Sequence, residues 1–347
     1  MSGGVDSSVA AGLLVEQGHD VVGATLKLWG GSSDSGCCSV ADVDDARRVA
    51  QVLGVDHHVF NYTEEFDRDV VAPYVAAHAA GLTPNPCMDC NRYIKFDLFF
   101  RRAQRLGFDA VATGHHARVR RDGARNNLVR GVDRAKDQSY VLGYLDAATI
   151  DTLLLPVGEM TKEEVRVRAE KYGLRTWNKP DSQDVCFIEA SKGREAFLAP
   201  RMELTPAGVF DRVSGEQIGE VPAAQLVTVG QRRGIAPGRD GERRFVTRVD
   251  LGQRRVEVDR LDAILVKEIP MDPTSWHATH DELVSGEKIF VQVSAHGRVL
   301  GARIGSQQKS ALLLDEPIRP VAPGQNVVLY SGADPDVVIG AGVVRSQ

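Results

Sequence analysis

The chain has 347 residues, 43% of them hydrophobic and 26% charged, with a formal net charge of −5; this exceeds one ordinary core, calls for two or three domains, and excludes a disordered, fibrous or wholly polycationic protein. No run of about 18 apolar residues offers a membrane span, and the opening residues lack the basic and apolar stretches of a secretory signal. Five cysteines (Cys37, Cys38, Cys87, Cys90 and Cys186) are too few and too unevenly spaced for a secreted disulfide framework, so a reducing cytoplasm is expected, where cysteines serve metals or catalysis.

In chain order, "VDSSVAAGLLVEQG" spaces Val9, Leu13 and Leu14 on one helical face and stops at Gly18, a left-handed cap. "VVGATLKLW" reads as a buried strand, "DVDDARRVAQVLG" as a second helix ending at Gly54, and "VDHHVF" as a short strand. "IKFDLFFRRAQRLG" is a third amphipathic helix, followed by the apolar "DAVATGHH". Helices alternating with apolar strands predict a parallel sheet covered on both faces, with ligands beyond the carboxyl ends of the strands. A hairpin is expected around "RRDGARNN", and "TKEEVRVRAEKYG" carries a capping box, Thr161 and Glu164, with Gly173 as its stop. Past about residue 200 short alternating segments such as "GVFDRVSGEQIG", "RRVEVDR", "KIFVQVSA" and "QNVVLY" read as all-β. The expected architecture is an α/β domain over 1–200, then two small β-rich domains over 201–262 and 263–347.

The opening "MSGGVDSS" runs directly into the first helix. Gly3 and Gly4 let the backbone approach a ligand closely, the serines add hydroxyl donors, and the helix N-terminus presents amides and a positive dipole end. A pyrophosphate suits this loop, although neither a Walker loop nor G-x-G-x-x-G occurs. The alternative is a glycine turn that merely caps the helix. SGG-x-DS followed by a helix resembles the signature of the PP-loop ATP pyrophosphatases, which cleave ATP to AMP and pyrophosphate to activate a substrate oxygen. The resemblance implies that Ser2, Gly3, Gly4, Val5, Asp6 and Ser7 surround the phosphates. Such a loop needs an anchoring strand before it, so a start roughly ten residues upstream of Met1, enough for one strand, is expected.

In "PNPCMDCNRYIKF" Cys87 and Cys90 stand three apart. Structural zinc wants a second such pair, which the chain lacks; a thioredoxin pair wants a different surrounding pattern; inert buried cysteines and a pair that handles sulfur complete the alternatives. Between Asn85 and Lys136 twelve Lys or Arg face five Asp, a local excess that either docks nucleic acid or is a solvated face. His57 and His58, adjacent on a strand, face opposite sides and cannot chelate together.

"LTPNPCMDCNRYIKF", "ATGHHARV", "KDQSYVL", "SQDVCFI", "TVGQRRG" and "VAPGQNVVLY" follow one another in that order, with "DSGCCS" near the start. Together with the opening loop they resemble the tRNA-specific 2-thiouridylase family over nearly the whole chain. That resemblance implies an adenine nucleotide alpha hydrolase-like fold, ATP with Mg²⁺, tRNA as substrate, and a sulfur donor, either a cysteine desulfurase or a sulfur carrier protein. It also implies that Cys186 carries a persulfide and Cys90 is the nucleophile that forms a disulfide with it as sulfur is released. Thiolates need nearby positive charge, and Arg92 and Lys95 are the sequence candidates. By the same resemblance Leu26 and Gly114 touch the adenosine; Asn85, Pro86 and Cys87 form the pocket for the flipped uridine; and His115, Lys136, Asp137, Gln138 and Gln325 contact tRNA.

Many relatives carry Asp where Cys87 stands. The thiol leaves Cys87, Cys90 and Cys186 as three possible ligands of an iron-sulfur cluster, an alternative to the persulfide relay. "VQVSAHGRVL" departs from a basic-aromatic stretch common in relatives, which bears on contacts by Ser294 and Ala295. Two other functions compete: a PP-loop amidotransferase or synthetase, which has no need of Cys90 and Cys186, and a non-catalytic RNA-binding protein, which loses nothing on Cys186→Ser.

Overall fold

The computed structural model describes residues 1–29, 39–180, 185–189, 191–281, 283–305 and 309–345; Cys37 and Cys38 lie outside them. The chain divides into two compact units: Met1–Val71 with Pro86–Ser191 and Asp336–Val338, and Ala72–Asn85 with Lys192–Pro335 and Ile339–Gln347.

In the first unit α1 spans Val5–Glu16 and turns Val5, Val9 and Ala10 onto Val49, Val165, Ala169 and Leu174. Gly18 follows it at φ 83°, the left-handed conformation in which glycine carries no Cβ penalty. The second helix, α2 (Val40–Leu53), opens on a capping box made by Ser39 and Asp42. β1 (Val22–Lys27) pairs in parallel with β2 (Asp56–Asn61), Val22 opposite Asp56 through to Lys27 opposite Asn61. The next strand, β3 (Val111–Ala112), precedes β4 (Ala117–Asp122) and β5 (Arg125–Arg130), the expected hairpin. β6 (Leu153–Leu154) then pairs in parallel with β3. The parallel sense is the expected one, but among the described residues it occurs as two two-stranded pieces. The helix at Lys162–Lys171 has the expected capping box of Thr161 and Glu164.

One helix starts earlier than its spacing predicts. Pro86–Asp89 is already helical, Cys90–Phe99 continues as a π-helix and Phe100–Arg105 as an α-helix, so Cys87 and Cys90 lie within the helical stretch and not ahead of it. Proline suits a first helical position because its fixed φ is preorganised. The wider π winding blurs the 3.6-residue spacing from which the start was read.

The second unit is β-rich, as expected. Strands β7 (Ala207–Asp211), β8 (Gln217–Val221), β9 (Phe245–Asp250) and β10 (Arg255–Asp259) form a sheet in the order β8-β7-β10-β9, around Val209, Val246, Val256 and Val258. From residue 266, β11 (Val266–Pro270), β12 (His277–Ala278), β13 (Lys288–Gln292), β14 (Leu300–Ile304), β15 (Ala311–Ile318), β16 (Asn326–Ser331) and β17 (Val338–Val343) make a second sheet, ordered β11-β15-β14-β13-β16-β17-β12. Its core includes Ile289, Val291, Leu312 and Leu329.

Candidate active site

The site is built on the N-terminus of α1. Its N-cap, Gly4, is extended (φ −92°, ψ 165°) and offers no side-chain cap, so the first-turn amides face outward without the side-chain partner such groups usually find. Ser7 Oγ receives the Ser2 amide at 3.1 Å and lies 3.2 Å from Ser2 Oγ, while Ser8 Oγ donates to the Gly4 carbonyl at 2.7 Å. Gly3 sits at φ 69°, where a Cβ would collide with the Asp42 carbonyl oxygen. The loop thus lies against the N-terminal turn of α2 as well. Amides, hydroxyls and an uncapped dipole end suit an anion.

Two lysines that the sequence reading missed bracket this loop. Lys162 Nζ binds both Asp6 carboxylate oxygens, at 2.7 and 2.8 Å, and His116 Nε2 lies 3.1 Å from the same carboxylate. Burial, the largest single influence on Asp6, favours its protonation. Hydrogen bonds from His116 and Lys162, with their charges, outweigh it and hold the carboxyl below its usual range. Lys179 Nζ donates to the Gly3 carbonyl at 3.0 Å and to Asp42 and Asp45 at 2.7 and 2.9 Å. Burial opposes its charge most strongly, but the two carboxylates together raise its pKa. A signal for Lys162 was present: it stands in the first turn of its helix beside Glu163 and Glu164, at the dipole end that disfavours a cation.

The strand end after β3 meets the loop from the other side. A Cβ on Gly114 would lie 2.5 Å from the Ser7 amide nitrogen and 2.6 Å from the Asp6 carbonyl carbon, so only glycine permits this approach. His115 Nδ1 is 2.8 Å from Thr113 Oγ1, and its ring packs 5.9 Å from Phe96 of the Cys90–Phe99 helix. Burial first, and then the charge of Lys95, push the His115 imidazole down to about 3, so it is neutral at neutral pH. The glycine-serine loop and the cysteine-bearing helix therefore converge on one strand end, Thr113 to His115.

On that helix Cys87 is exposed and Cys90 buried. Arg92, expected near the thiol, lies over the rings of Tyr93 and Tyr144, at 5.1 and 4.7 Å, while the charge of Lys95 acts on His115. Between the cysteines, burial pushes the Asp89 carboxyl up to about 6, against the pull of Arg92. Folded protein therefore binds this proton more tightly than unfolded protein, and stability falls as pH rises from about 4 to about 6. Asp89→Asn is expected to remove that loss, raising stability at pH 7.5 by about 1–3 kcal/mol and leaving it nearly unchanged at pH 4.5. Denaturation midpoints at the two pH values check this; an equal gap at both contradicts it.

Cys186 is half-buried. The next residue, Phe187, is 4% exposed and wedges between Trp29 and Phe66, with ring centroids 6.1 and 5.7 Å away. Helical turns at Thr63–Phe66 and Asp67–Val71 also pack on the Cys90–Phe99 helix, so the Cys186 turn is anchored to the layer that carries Cys90. Asp137 is buried and holds the Gly131 and Ser139 amides, at 2.9 and 3.1 Å, and Arg130 Nε at 2.8 Å. Gln138 exchanges hydrogen bonds with the His116 backbone. Lys136 is half-buried, as is Leu26, which pairs with Phe60 across β1 and β2. Pro86 is buried at the helix start. Asn85 and Gln325 belong to the second unit, where Gln325 accepts from the Val344 amide at 2.8 Å. There the Ser294 and Ala295 carbonyls accept from Gln292 Nε2 at 2.9 and 3.1 Å.

The basic excess of 85–136 is partly neutralised: Arg101 pairs with Asp97, Arg120 with Asp122, Arg130 with Asp137, and Arg118 and Arg134 with Asp336. Among the described residues no group of three or more His, Cys, Asp or Glu could hold a metal ion. Cys87, Cys90 and Cys186 are accordingly not gathered as cluster ligands.

A family model described as tRNA methyl transferase HUP domain matches residues 1–190, and one described as aminomethyltransferase beta-barrel domain matches residues 266–344. The tRNA-specific 2-thiouridylase MnmA of Thermobifida fusca (strain YX) is 42% identical over 350 residues, covering 99% of this chain and 94% of that protein. Those of Rhodococcus jostii (strain RHA1) and Chloroflexus aggregans (strain MD-66 / DSM 9485) are each 42% identical, over 355 and 352 residues, covering 99% of this chain and 96% of theirs. Among solved structures, the NMN synthetase of Francisella tularensis aligns at 18% identity over 52% of this chain and 63% of that one, with a TM-score of 0.32.

Proposed function

The chain belongs to the tRNA-specific 2-thiouridylase family, and on that premise we propose that it replaces the 2-carbonyl oxygen of the wobble uridine of a tRNA by sulfur, using ATP. The observation that carries this reading is the convergence of loop and cysteine helix: Gly114 packs on the Asp6–Ser7 backbone while the adjacent His115 packs on Phe96, six residues past Cys90.

In the proposed reaction the amides of Val5, Asp6 and Ser7 and the Ser2 and Ser7 hydroxyls receive the phosphates of ATP, with Lys162 and Lys179 supplying positive charge. The uridine 2-oxygen attacks the α-phosphorus and pyrophosphate leaves, which turns a poor leaving group into AMP. The terminal sulfur of a Cys186 persulfide attacks C2. The Cys90 thiolate then attacks Cys186 Sγ, breaking the S–S bond and forming a Cys90–Cys186 disulfide. The electron pair released onto the transferred sulfur expels AMP and leaves C2=S, and an external dithiol, or two thiols in succession, reduces the disulfide to reset the pair while being oxidised to a disulfide itself. Extruding the base costs about a few kcal/mol, less in a single-stranded anticodon loop. A cysteine desulfurase or a sulfur carrier protein loads Cys186, in a cytoplasmic setting.

Bound Mg²⁺ would supply charge neutralisation at the phosphates. Asp6 and Asp42 are engaged by lysines, so such an ion would depend chiefly on phosphate oxygens and water for its ligands, as Mg²⁺ commonly does. Purified protein with ATP, a persulfide source and an unmodified transcript should yield 2-thiouridine by nucleoside mass spectrometry; transcript that stays unmodified while AMP accumulates on another acceptor would favour the synthetase reading.

A further inference from the structure

The "TVGQRRG" segment, residues 228–234, has no part in the chemistry above. The second unit builds it rigidly. The Gly230 amide donates to Val246 of β9 at 2.8 Å and the Val246 amide returns to Gln231 at 2.9 Å. The Gln231 side chain closes the loop on itself, accepting from the Thr228 amide at 3.0 Å and donating to the Arg233 carbonyl at 2.7 Å. Gly230 sits at φ 82°, and a Cβ there would lie 3.2 Å from the Pro320 carbonyl oxygen, so the loop is held close to the end of β15.

Between loop and strand end lies a cleft of about 750 Å³. Arg232 and Arg233 project from the loop, Arg319 from beyond β15, and Arg298 from the β13–β14 connection; Leu261 and Leu265 line the same cleft, and among the described residues no Asp or Glu does. Arg298 pairs with Glu316 at 3.0 Å. Arg232, Arg233 and Arg319 are exposed and have no carboxylate partner among the described residues. In a chain of net charge −5 these three arginines make a positive site with no carboxylate partner among the described residues. Arginine is the side chain whose planar fork matches phosphate oxygens two at a time. The two leucines, 44% and 41% exposed, provide an apolar surface of the kind a ribose or base can cover.

We infer that the cleft between the 228–234 loop and the β15 end binds the phosphodiester backbone of the substrate tRNA, as a docking site in the β-rich unit. The inference rests on the thiolation reading and adds a place where the RNA body is held. Contacts to phosphate fix position without reading sequence, so the cleft serves every tRNA the enzyme modifies.

The test uses the full chain, an unmodified tRNA transcript with uridine at the wobble position, and the triple variant Arg232→Ala, Arg233→Ala, Arg319→Ala. These side chains are exposed, so the unfolding midpoint should stay close to the parent value. Between about 50 and 200 mM salt the dependence of log K on log salt should become shallower by about 0.9 per arginine removed. Affinity at the lower salt should fall at least about tenfold, and the kinetic loss should appear in KM for tRNA. The corresponding triple lysine variant should keep the parent slope. Parent affinity and slope in the triple alanine variant would overturn the inference. A parent protein that makes no 2-thiouridine refutes the functional reading; one that makes it, beside a triple variant with unchanged tRNA binding, refutes only the cleft.

Discussion

Lys162→Met is expected to lower the rate of AMP formation with tRNA by about 10²–10³, the loss typical of removing one preorganised charge-stabilising donor. The side chain is 10% exposed, and its ammonium is held by both oxygens of Asp6 at the start of α1. Methionine keeps the length and apolar stem but removes the charge, leaving Asp6 with His116 as its neighbour. Breaking a buried ion pair by removing one partner destabilises by roughly 3–5 kcal/mol, and the low end applies because solvent screens a partly exposed carboxylate; Asp6 keeps 29% exposure. Adding Asp6→Asn removes the uncompensated charge and should recover much of the stability but none of the rate. Denaturation and AMP assays on both variants separate these effects. Parent-like AMP formation in Lys162→Met would remove the lysine from the phosphate site.

Cys186→Ser and Cys90→Ser should each bring 2-thiouridine down by about 10³ or more, since serine cannot supply a thiolate at neutral pH. They should differ in what accumulates. With Cys90→Ser, the mass of one extra sulfur atom stays on Cys186 after loading, because the partner that breaks the S–S bond is missing. With Cys186→Ser no stable persulfide forms. In both, activation by ATP continues for a single turnover, because the loop at Ser2–Ser7 is untouched. Fold loss does not confuse the comparison for Cys186, which is half-buried; Cys90 is 6% exposed, so its variant needs a melting curve beside the assay. Persulfide mass found on Cys90 instead would reverse the two roles.

What the sequence disclosed and withheld follows the range of the forces involved. Helix stops at Gly18, Gly54 and Gly173, the Thr161–Glu164 capping box and the hairpin around Gly123 are set by residues a few positions apart, and all occur in the structure. The glycine-serine loop was legible for the same reason. Lys162 and Lys179 were not placed there, because they reach the loop across 156 and 176 positions; the first-turn position of Lys162 marks it as unusual for a cation but does not say what it meets. The basic excess of 85–136 looked larger than it is for a similar reason: Arg134 meets Asp336, 202 positions away. The early start of the cysteine helix was hidden by π winding, which departs from the periodicity used to find helices. Cys186 was singled out through its motif alone; the anchor of its turn, Phe187 between Trp29 and Phe66, is a tertiary feature.

In the proposed reaction, activation of the uridine oxygen by ATP is the step that joins the loop to the cysteines, and an isotope experiment reaches it directly. A transcript carrying heavy oxygen at C2 of the wobble uridine is incubated with the enzyme, ATP and a persulfide source, and the AMP is analysed by mass spectrometry. The account predicts one heavy oxygen in AMP for each 2-thiouridine formed, because that oxygen departs bound to the α-phosphorus. Unlabelled AMP beside fully thiolated transcript would contradict it.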